Sequence, residues 1–291
     1  MSGHERSPES GLRGDGKRIR PLLLGAALLA IGLGLVACGS DGSIAHPPGK
    51  NEVVLQVTTG GGFVPIEYNV TLVPEFSLYG DGRVTVPGPM MEIYPGPAMP
   101  NIQTAVIPEE SIQAVLSAAR EAGLFDPMFD YGLPTVADGP TTTIVINADG
   151  TKYGSEIYAL TVEGAGGLTM EQQRARAAIN DLVSKLIVLS TFVAGEILWE
   201  RYDFSALAIY SQAVGPNPTD VQPNRLDWPL GDLGTLGEEV PPGGFRRVVI
   251  SGQDLAALRT LLGQATEITL WKSGGAEYRL LFRPLLPDET A

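Results

Sequence analysis

Residues 141–160 read TTTIVINADGTKYGSEIYAL, and this stretch decides the fold class of the chain. Two strand-like segments, Thr141–Asn147 and Lys152–Leu160, flank the turn sequence Asp149-Gly150. Glycine adopts without steric cost the positive φ that two-residue hairpin turns require. The stretch therefore predicts an antiparallel β-hairpin.

An amphipathic helix is predicted upstream of this hairpin. It opens at Pro108, whose missing amide costs nothing in a first turn, and Glu109 and Glu110 lie beside the positive end of the helix dipole. Gly123 marks its end. Its apolar face consists of Ile112, Val115, Leu116 and Ala119. The order of helix, glycine and hairpin occurs again over residues 253–283.

Three further segments are predicted by the same rules. The strands Phe76–Tyr79 and Arg83–Val86 flank a Gly-Asp-Gly turn and predict another hairpin, whereas β-branched and aromatic residues over 63–73 predict a strand. Thr169 and Gln172 match a capping box at the start of a second helix. The apolar positions of that helix are Ile179, Leu182, Val183, Leu186 and Ile187.

Helices packed on antiparallel hairpins define the α+β class. The repeated helix-and-hairpin order predicts two small lobes, each made of antiparallel β-hairpins packed with one or two helices. Because the chain beyond residue 50 is longer than one small domain needs, we assign residues 51–200 to an N-terminal α+β domain and residues 201–291 to a C-terminal one.

A secretion signal precedes the predicted lobes. Lys17, Arg18 and Arg20 form a positive end, and residues 21–37 carry no charge. The run ends in Leu35-Val36-Ala37-Cys38-Gly39. This ending resembles the lipobox of bacterial lipoprotein signal peptides, with leucine three residues before the cysteine and small residues beside it.

The resemblance implies that residues 1–37 are a signal peptide cleaved between Ala37 and Cys38. It further implies a diacylglyceryl thioether on Cys38 and a location on the outer face of the bacterial cytoplasmic membrane. Two alternatives stay open: residues 21–37 could remain as a membrane helix, or the ordinary signal peptidase could cleave before Cys38.

The rare residues exclude several kinds of chemistry. The chain has one cysteine and two histidines. Cys38 is committed to lipid, His4 lies in the signal, and His46 lies in residues 38–50, whose glycine, serine and proline predict a flexible linker. The lobes would then lack histidine and cysteine, which excludes Ser-His-Asp and Cys-His catalysis and the common zinc sites. We predict no metal and no cofactor.

The charge balance argues against nucleic acid as a partner. The chain carries 20 basic and 33 acidic residues, a formal net charge of −13. The predicted cleavage removes five basic and three acidic side chains and makes the remainder more negative. Such a chain repels phosphates and an anionic bilayer surface, so we expect the folded part to stand away from the membrane on its linker.

Residues 87–100 form a proline-rich loop that is unusually apolar. We call this segment the methionine loop. Long loops in compact domains are often functional, and methionine and tyrosine offer adaptable contact area. Such a segment would suit an envelope protein partner that contacts Met90, Met91, Tyr94 and Met99, but the simpler interpretation, which we favour, is that these side chains cover a sheet edge. A third interpretation is that the methionines bind Cu(I).

Two weaker candidates have simpler explanations. Asp126, Asp130 and Asp138 lie in an irregular stretch that could hold Ca²⁺, but their spacing is not that of an EF-hand, and turn-forming aspartates explain it more simply. The three tryptophans could line a ligand groove, although tryptophan is more often a core or rim residue; they are Trp199, Trp228 and Trp271.

Taken whole, the chain is similar to uncharacterised lipoproteins of high-GC Gram-positive bacteria. The resemblance rests on Tyr79–Val84, Thr141-Thr142-Thr143 and the terminal Arg283–Pro287, and it implies no activity. We expect a non-enzymatic protein- or ligand-binding module. The alternatives are a carboxylate-dependent hydrolase acting on cell-wall glycan, which would need two paired acids, and an extracytoplasmic metal- or solute-binding protein.

Overall fold

A computed structural model describes residues 42–162, 164, 166–214, 221–241 and 244–289. Seven strands form a first sheet in the order β6-β5-β1-β2-β3-β4-β7, and every neighbouring pair is antiparallel. The strands are β1 (Val53–Gly60), β2 (Phe76–Tyr79), β3 (Arg83–Pro87), β4 (Ile102–Val106), β5 (Thr141–Ala148), β6 (Thr151–Tyr158) and β7 (Glu200–Arg201). Three helices belong to the same stretch of chain, namely α1 (Ile66–Val70), α2 (Glu109–Glu121) and α3 (Met170–Val188).

A second sheet of six strands follows, in the order β10-β11-β8-β13-β12-β9. Its strands are β8 (Ala206–Ala213), β9 (Arg225–Asp227), β10 (Glu238–Val240), β11 (Phe245–Ser251), β12 (Leu270–Ser273) and β13 (Ala276–Pro284), with helix α4 (Gly252–Leu262) and a final 3-10 turn (Pro287–Glu289). Only the β9 and β12 pair is parallel among the described strands. Two sheets with separate helices confirm the α+β class and the two lobes.

The predicted hairpins are confirmed. Ala148 pairs with Thr151 across the turn, where Asp149 and Gly150 both have positive φ, the backbone that twists with the strands of a two-residue hairpin. The Gly-Asp-Gly turn joins β2 to β3, and Gly274-Gly275 joins β12 to β13. These pairings depend on neighbours in the sequence, which is why the sequence pattern reveals them.

Helices α2 and α3 supply much of the first core. The predicted face of α2 is buried, and the capping box of α3 is formed, with the Gln172 amide donating to Thr169 Oγ1 at 3.2 Å and the Thr169 amide donating to Gln172 Oε1 at 3.0 Å. Ile179, Leu182, Val183 and Leu186 are buried. The prediction is wrong for Ile187, which is 43% exposed on the last turn of the helix.

The predicted strand over residues 63–73 is wrong. The segment contains the short helix α1, and Phe63 is 91% exposed. Ile66 and Val70 of this helix pack against a small apolar cluster on the second sheet, which includes Tyr210. A contact between distant parts of the chain therefore outweighs the local preference of β-branched residues for strands.

The predicted flexible linker is also wrong for residues 42–50. Ile44 is only 1% exposed and belongs to the first core. Its amide donates to Gln113 Oε1 at 2.8 Å, and its carbonyl accepts from Gln113 Nε2 at 2.9 Å. The Asp149 amide also donates to the Ala45 carbonyl at 2.7 Å. Folded structure thus begins well before Val53, and His46 belongs to it.

The C-terminal segment joins the two sheets. Tyr79, fully buried on β2, donates to Asp288 Oδ1 at 2.8 Å, and Tyr202 donates to the Leu285 carbonyl at 3.0 Å. Arg283 Nε donates to the Leu72 carbonyl at 2.7 Å. Both sheets accordingly belong to one compact unit spanning residues 41–291.

Candidate partner-binding surface

The methionine loop connects β3 to β4 and holds its apolar side chains out in solvent. Met90 is 85% exposed, Met91 65%, and Tyr94 62%. These three residues therefore do not cover a sheet edge. Met99 differs, because it packs against the second core beside Ala98.

The backbone of the loop is held at both ends. The Gly88 amide donates to the Asn101 carbonyl at 2.8 Å. At the other end the Gly96 amide donates to Glu267 Oε1 at 2.8 Å, while the Glu267 amide donates to the Gly96 carbonyl at 3.0 Å. The Ala98 amide donates to the Ala265 carbonyl at 3.1 Å. A loop held at both ends loses less conformational entropy on binding than a free one.

A groove of about 490 Å³ lies beside this loop. Pro97 and Met99 form part of its wall, and the rest comes from residues 201–204 and from the end of α4. Arg259 lines it, with Nη2 donating to Asp203 Oδ1 at 2.8 Å and to the Phe204 carbonyl at 2.7 Å. Its guanidinium also lies 4.8 Å from the centre of the Phe204 ring.

Two arginines and one aspartate line the groove. Arg201 is exposed there and forms no ion pair within the described part of the chain, whereas Arg259 is neutralised by Asp203. Burial raises the pKa of the neighbouring Tyr202 to about 12, so its hydroxyl stays neutral and remains a donor to Leu285. Beside the apolar methionine loop, the groove thus presents Arg201 without an ion pair to any described residue.

The sequence did not predict this groove. Asp203 and Arg259 are 56 residues apart and lie on different elements, so no spacing signals their contact. Met99 was predicted from composition alone, and the structure places it in the groove wall rather than on the exposed loop surface.

The aspartates considered for Ca²⁺ act within turns. Asp126 Oδ1 accepts from the Met128 amide at 3.0 Å, and Asp130 Oδ1 accepts from the Gly132 amide at 2.8 Å. Asp138 has a φ of 53° and accepts through its backbone carbonyl from Phe63. Across the described residues no three His, Cys, Asp or Glu side chains come together as a metal site.

The tryptophans serve the cores. Trp228 and Trp271 are buried, and their rings meet edge to face with centroids 5.8 Å apart. Trp199 is partly buried against the first core. None of the three projects from the exposed loop surface.

His46 was expected in a linker outside the folded part, but the structure places it within the folded part, beside Glu109. Nδ1 donates to the Pro47 carbonyl at 2.9 Å, and Nε2 lies 3.0 Å from Glu109 Oε2. Both ring nitrogens therefore lie within hydrogen-bond distance of oxygen acceptors of the folded part. Desolvation of Glu109 is outweighed by hydrogen bonds from Gln113 and His46, and the pKa of that carboxyl is lowered.

Paired carboxylates were the requirement for the hydrolase alternative. A groove of about 370 Å³ between α2 and α3 is lined by both Glu121 and Asp181, but Lys185 Nζ lies 2.6 Å from Asp181 Oδ2 and neutralises it. The groove beside the methionine loop holds Asp203, which is paired with Arg259. Neither groove offers two free carboxylates.

The predicted anchor residues Leu35, Val36, Ala37, Cys38 and Gly39 lie outside the described residues. Among the described residues, none of the helices has the length and apolar composition to cross a membrane. Comparison with protein-family models, curated proteins and solved structures finds no match to this chain.

Proposed function

We propose that this chain is a lipoprotein held on the outer face of the bacterial cytoplasmic membrane by a diacylglyceryl group on Cys38, and that its folded part binds an envelope protein without catalysing a reaction. The exposed methionine loop, whose two ends are held by hydrogen bonds, is the observation that carries the binding proposal. The anchor proposal rests on the sequence Leu35–Gly39.

The connection between anchor and folded part is short. Ile44, which is buried in the first core, lies six residue steps after Cys38. A fully extended chain of that length spans at most about 20 Å. A lipid on Cys38 would therefore keep the end of the lobe that holds residues 42–50 near the bilayer, in place of the expected long tether.

The methionine loop lies at the other end of the first sheet. Arg83, at the start of β3, donates to the Lys50 carbonyl at 3.1 Å, and the adjoining Gly80 amide donates to the Glu52 carbonyl at 3.0 Å. Strand β3 then runs away from this end for five residues, roughly 13 Å at the usual rise. The loop begins where β3 ends, at the opposite end of the strand from residues 42–50, and this separation supports a protein partner for its apolar side chains.

The expected partner has an apolar patch beside a carboxylate. Methionine side chains adapt to irregular apolar surfaces, and tyrosine and arginine are enriched where interfaces gain most of their binding energy. Arg201 is the cation that such a carboxylate would reach, because Asp203 already occupies Arg259. Because the chain is acidic overall, it also repels partners that carry excess negative charge outside that carboxylate.

Site-specific photocrosslinking in the native envelope tests the binding proposal. A photoreactive amino acid at Met91 is expected to yield one discrete protein adduct, and Arg201→Glu should reduce its yield. Met128 is the matched control, because it is 87% exposed yet lies on another loop. Identical adducts from both positions, or only lipid adducts from position 91, would refute partner binding by the methionine loop.

Two further measurements separate the parts of the proposal. Cys38→Ala should leave unprocessed precursor and abolish metabolic labelling with a fatty acid, and unchanged labelling would show that the anchor is misassigned. Degradation of cell-wall glycan by the purified folded part would instead establish the hydrolase class and contradict a purely binding role.

A further inference from the structure

Strand β6 is an end of the first sheet, and its outer edge has no partner among the described residues. The strand is eight residues long, and the sheet's other end is the two-residue strand β7. A long edge strand is a template for pairing with another strand, and many proteins shorten or cover such edges. Strand β6 is long, and no described strand pairs with its outer edge.

The turn determines which backbone groups face outward. In a two-residue hairpin the residues next to the turn, Ala148 and Thr151, exchange both of their hydrogen bonds. Alternation along the strand then turns the amides and carbonyls of Lys152, Gly154 and Glu156 away from β5. Outward groups at every second residue are what an added antiparallel strand requires.

The side chains on this edge carry opposite charges at symmetric positions. Lys152 and Glu156 are exposed, lie two residues on either side of Gly154, and form no ion pair or side-chain hydrogen bond within the described part of the chain. Their Cα atoms are four residue steps apart, roughly 13 Å along the strand, and they do not pair with each other in the structure. Gly154 has no positive φ, and a Cβ built on it would meet nothing within 4 Å, so the lobe itself does not require glycine there.

We propose that two copies of this chain pair through their β6 edges, antiparallel and two-fold symmetric about Gly154. In that register Lys152 lies opposite Glu156 of the partner subunit, and the symmetry forms the same pair a second time. The outward backbone groups of Lys152, Gly154 and Glu156 all find hydrogen-bond partners on the second copy.

This pairing is independent of the proposed binding by the methionine loop. Strands β6 and β4 are five positions apart in the first sheet, roughly 24 Å at the usual strand spacing. The loop leaves the sheet beside β4, so a β6 dimer leaves both loops accessible and gives a two-fold symmetric pair of binding surfaces.

Disulfide trapping of the full-length chain in its own membrane tests the register. Gly154→Cys places two cysteines on the axis with Cα atoms about 5.5 Å apart, within the range of a disulfide. Cys38 is the only native cysteine. Glu238→Cys is the control, since this residue is also exposed on an edge strand, β10 of the second sheet.

Mild oxidation is expected to convert Gly154→Cys, and not Glu238→Cys, into a covalent dimer. In the Gly154→Cys background, Lys152→Glu turns both attractive pairs into repulsive ones and should reduce the dimer about tenfold. Adding Glu156→Lys restores opposite charges and should restore the dimer. The proposal would be overturned if Gly154→Cys formed no dimer, if the Glu238→Cys control formed as much dimer, or if the charge reversal left the dimer yield unchanged.

Discussion

Replacing Ile44 by alanine tests whether residues 42–50 belong to the folded lobe. The side chain is 1% exposed in the first core, and the substitution removes three carbon atoms. At about 0.8 kcal/mol per buried methylene, the lost burial is about 2.4 kcal/mol, and the cavity left behind raises the expected loss to about 3–5 kcal/mol.

The loss has an upper limit set by the segment itself. Residues 42–50 are also held by the two hydrogen bonds to Gln113 and by the backbone bond between Ala45 and Asp149. If the free energy of docking is smaller than the loss at Ile44, the segment will detach while the rest of the lobe stays folded. The free energy of unfolding and the protection of the segment must therefore be measured together.

Urea denaturation and amide hydrogen exchange on a soluble form starting at Gly39 supply both quantities. We expect a lower free energy of unfolding, or fast exchange confined to residues 42–52. The matched control is Ile187→Ala, which truncates the same residue type at a 43% exposed position and should cost about 0.5 kcal/mol or less. Equal behaviour of the two variants would refute the docking of residues 42–50.

Two further predictions concern buried polar groups. Arg176 donates to the carbonyls of Tyr158 and Ala159 at 2.7 Å, so Arg176→Met leaves both carbonyls without this donor and should lower the free energy of unfolding by about 2–4 kcal/mol in urea denaturation. The control Arg174→Met changes an exposed arginine of the same helix and should cost under about 0.5 kcal/mol. Similar losses in the two variants would contradict this account. Burial raises the pKa of Tyr202 to about 12 and that of Tyr79 further, so the folded state keeps protons that the unfolded chain releases near pH 10. The contribution of these two tyrosines to the free energy of unfolding is complete below pH 10 and is lost as the pH rises toward 12. Between pH 8 and 11, the urea midpoint should therefore fall less steeply with pH in Tyr202→Phe than in the unchanged protein. Identical slopes of midpoint against pH would contradict the raised pKa of Tyr202.

Local elements were predictable because their causes are local. The turn at Asp149-Gly150 and the capping box at Thr169 depend on residues within a few positions, and the structure has both. Helix α2 was predictable from the spacing of its buried face. In each case one short segment contains all the interactions that decide the outcome.

Predictions failed where a distant contact decides. Composition made residues 42–50 look like a linker, yet Ile44 enters a core built largely from later parts of the chain. Residues 63–73 are rich in strand formers, yet α1 packs on the second sheet. The candidate surface shows the same division, because composition revealed the apolar loop but not the Arg259 and Asp203 contact beside it.

The sequence by itself determined the α+β class, the hairpins and the acidic balance of the chain, since turn chemistry, periodicity and charge are properties of neighbouring residues. Its prediction of a lipid anchor on Cys38 stays a prediction. Only the tertiary structure decided the order of strands in each sheet, the burial of Ile44, the exposure of Met90 and Met91, and the open edge of β6. These depend on which segments meet after folding, and residues far apart in the chain make those contacts only when the whole core is assembled.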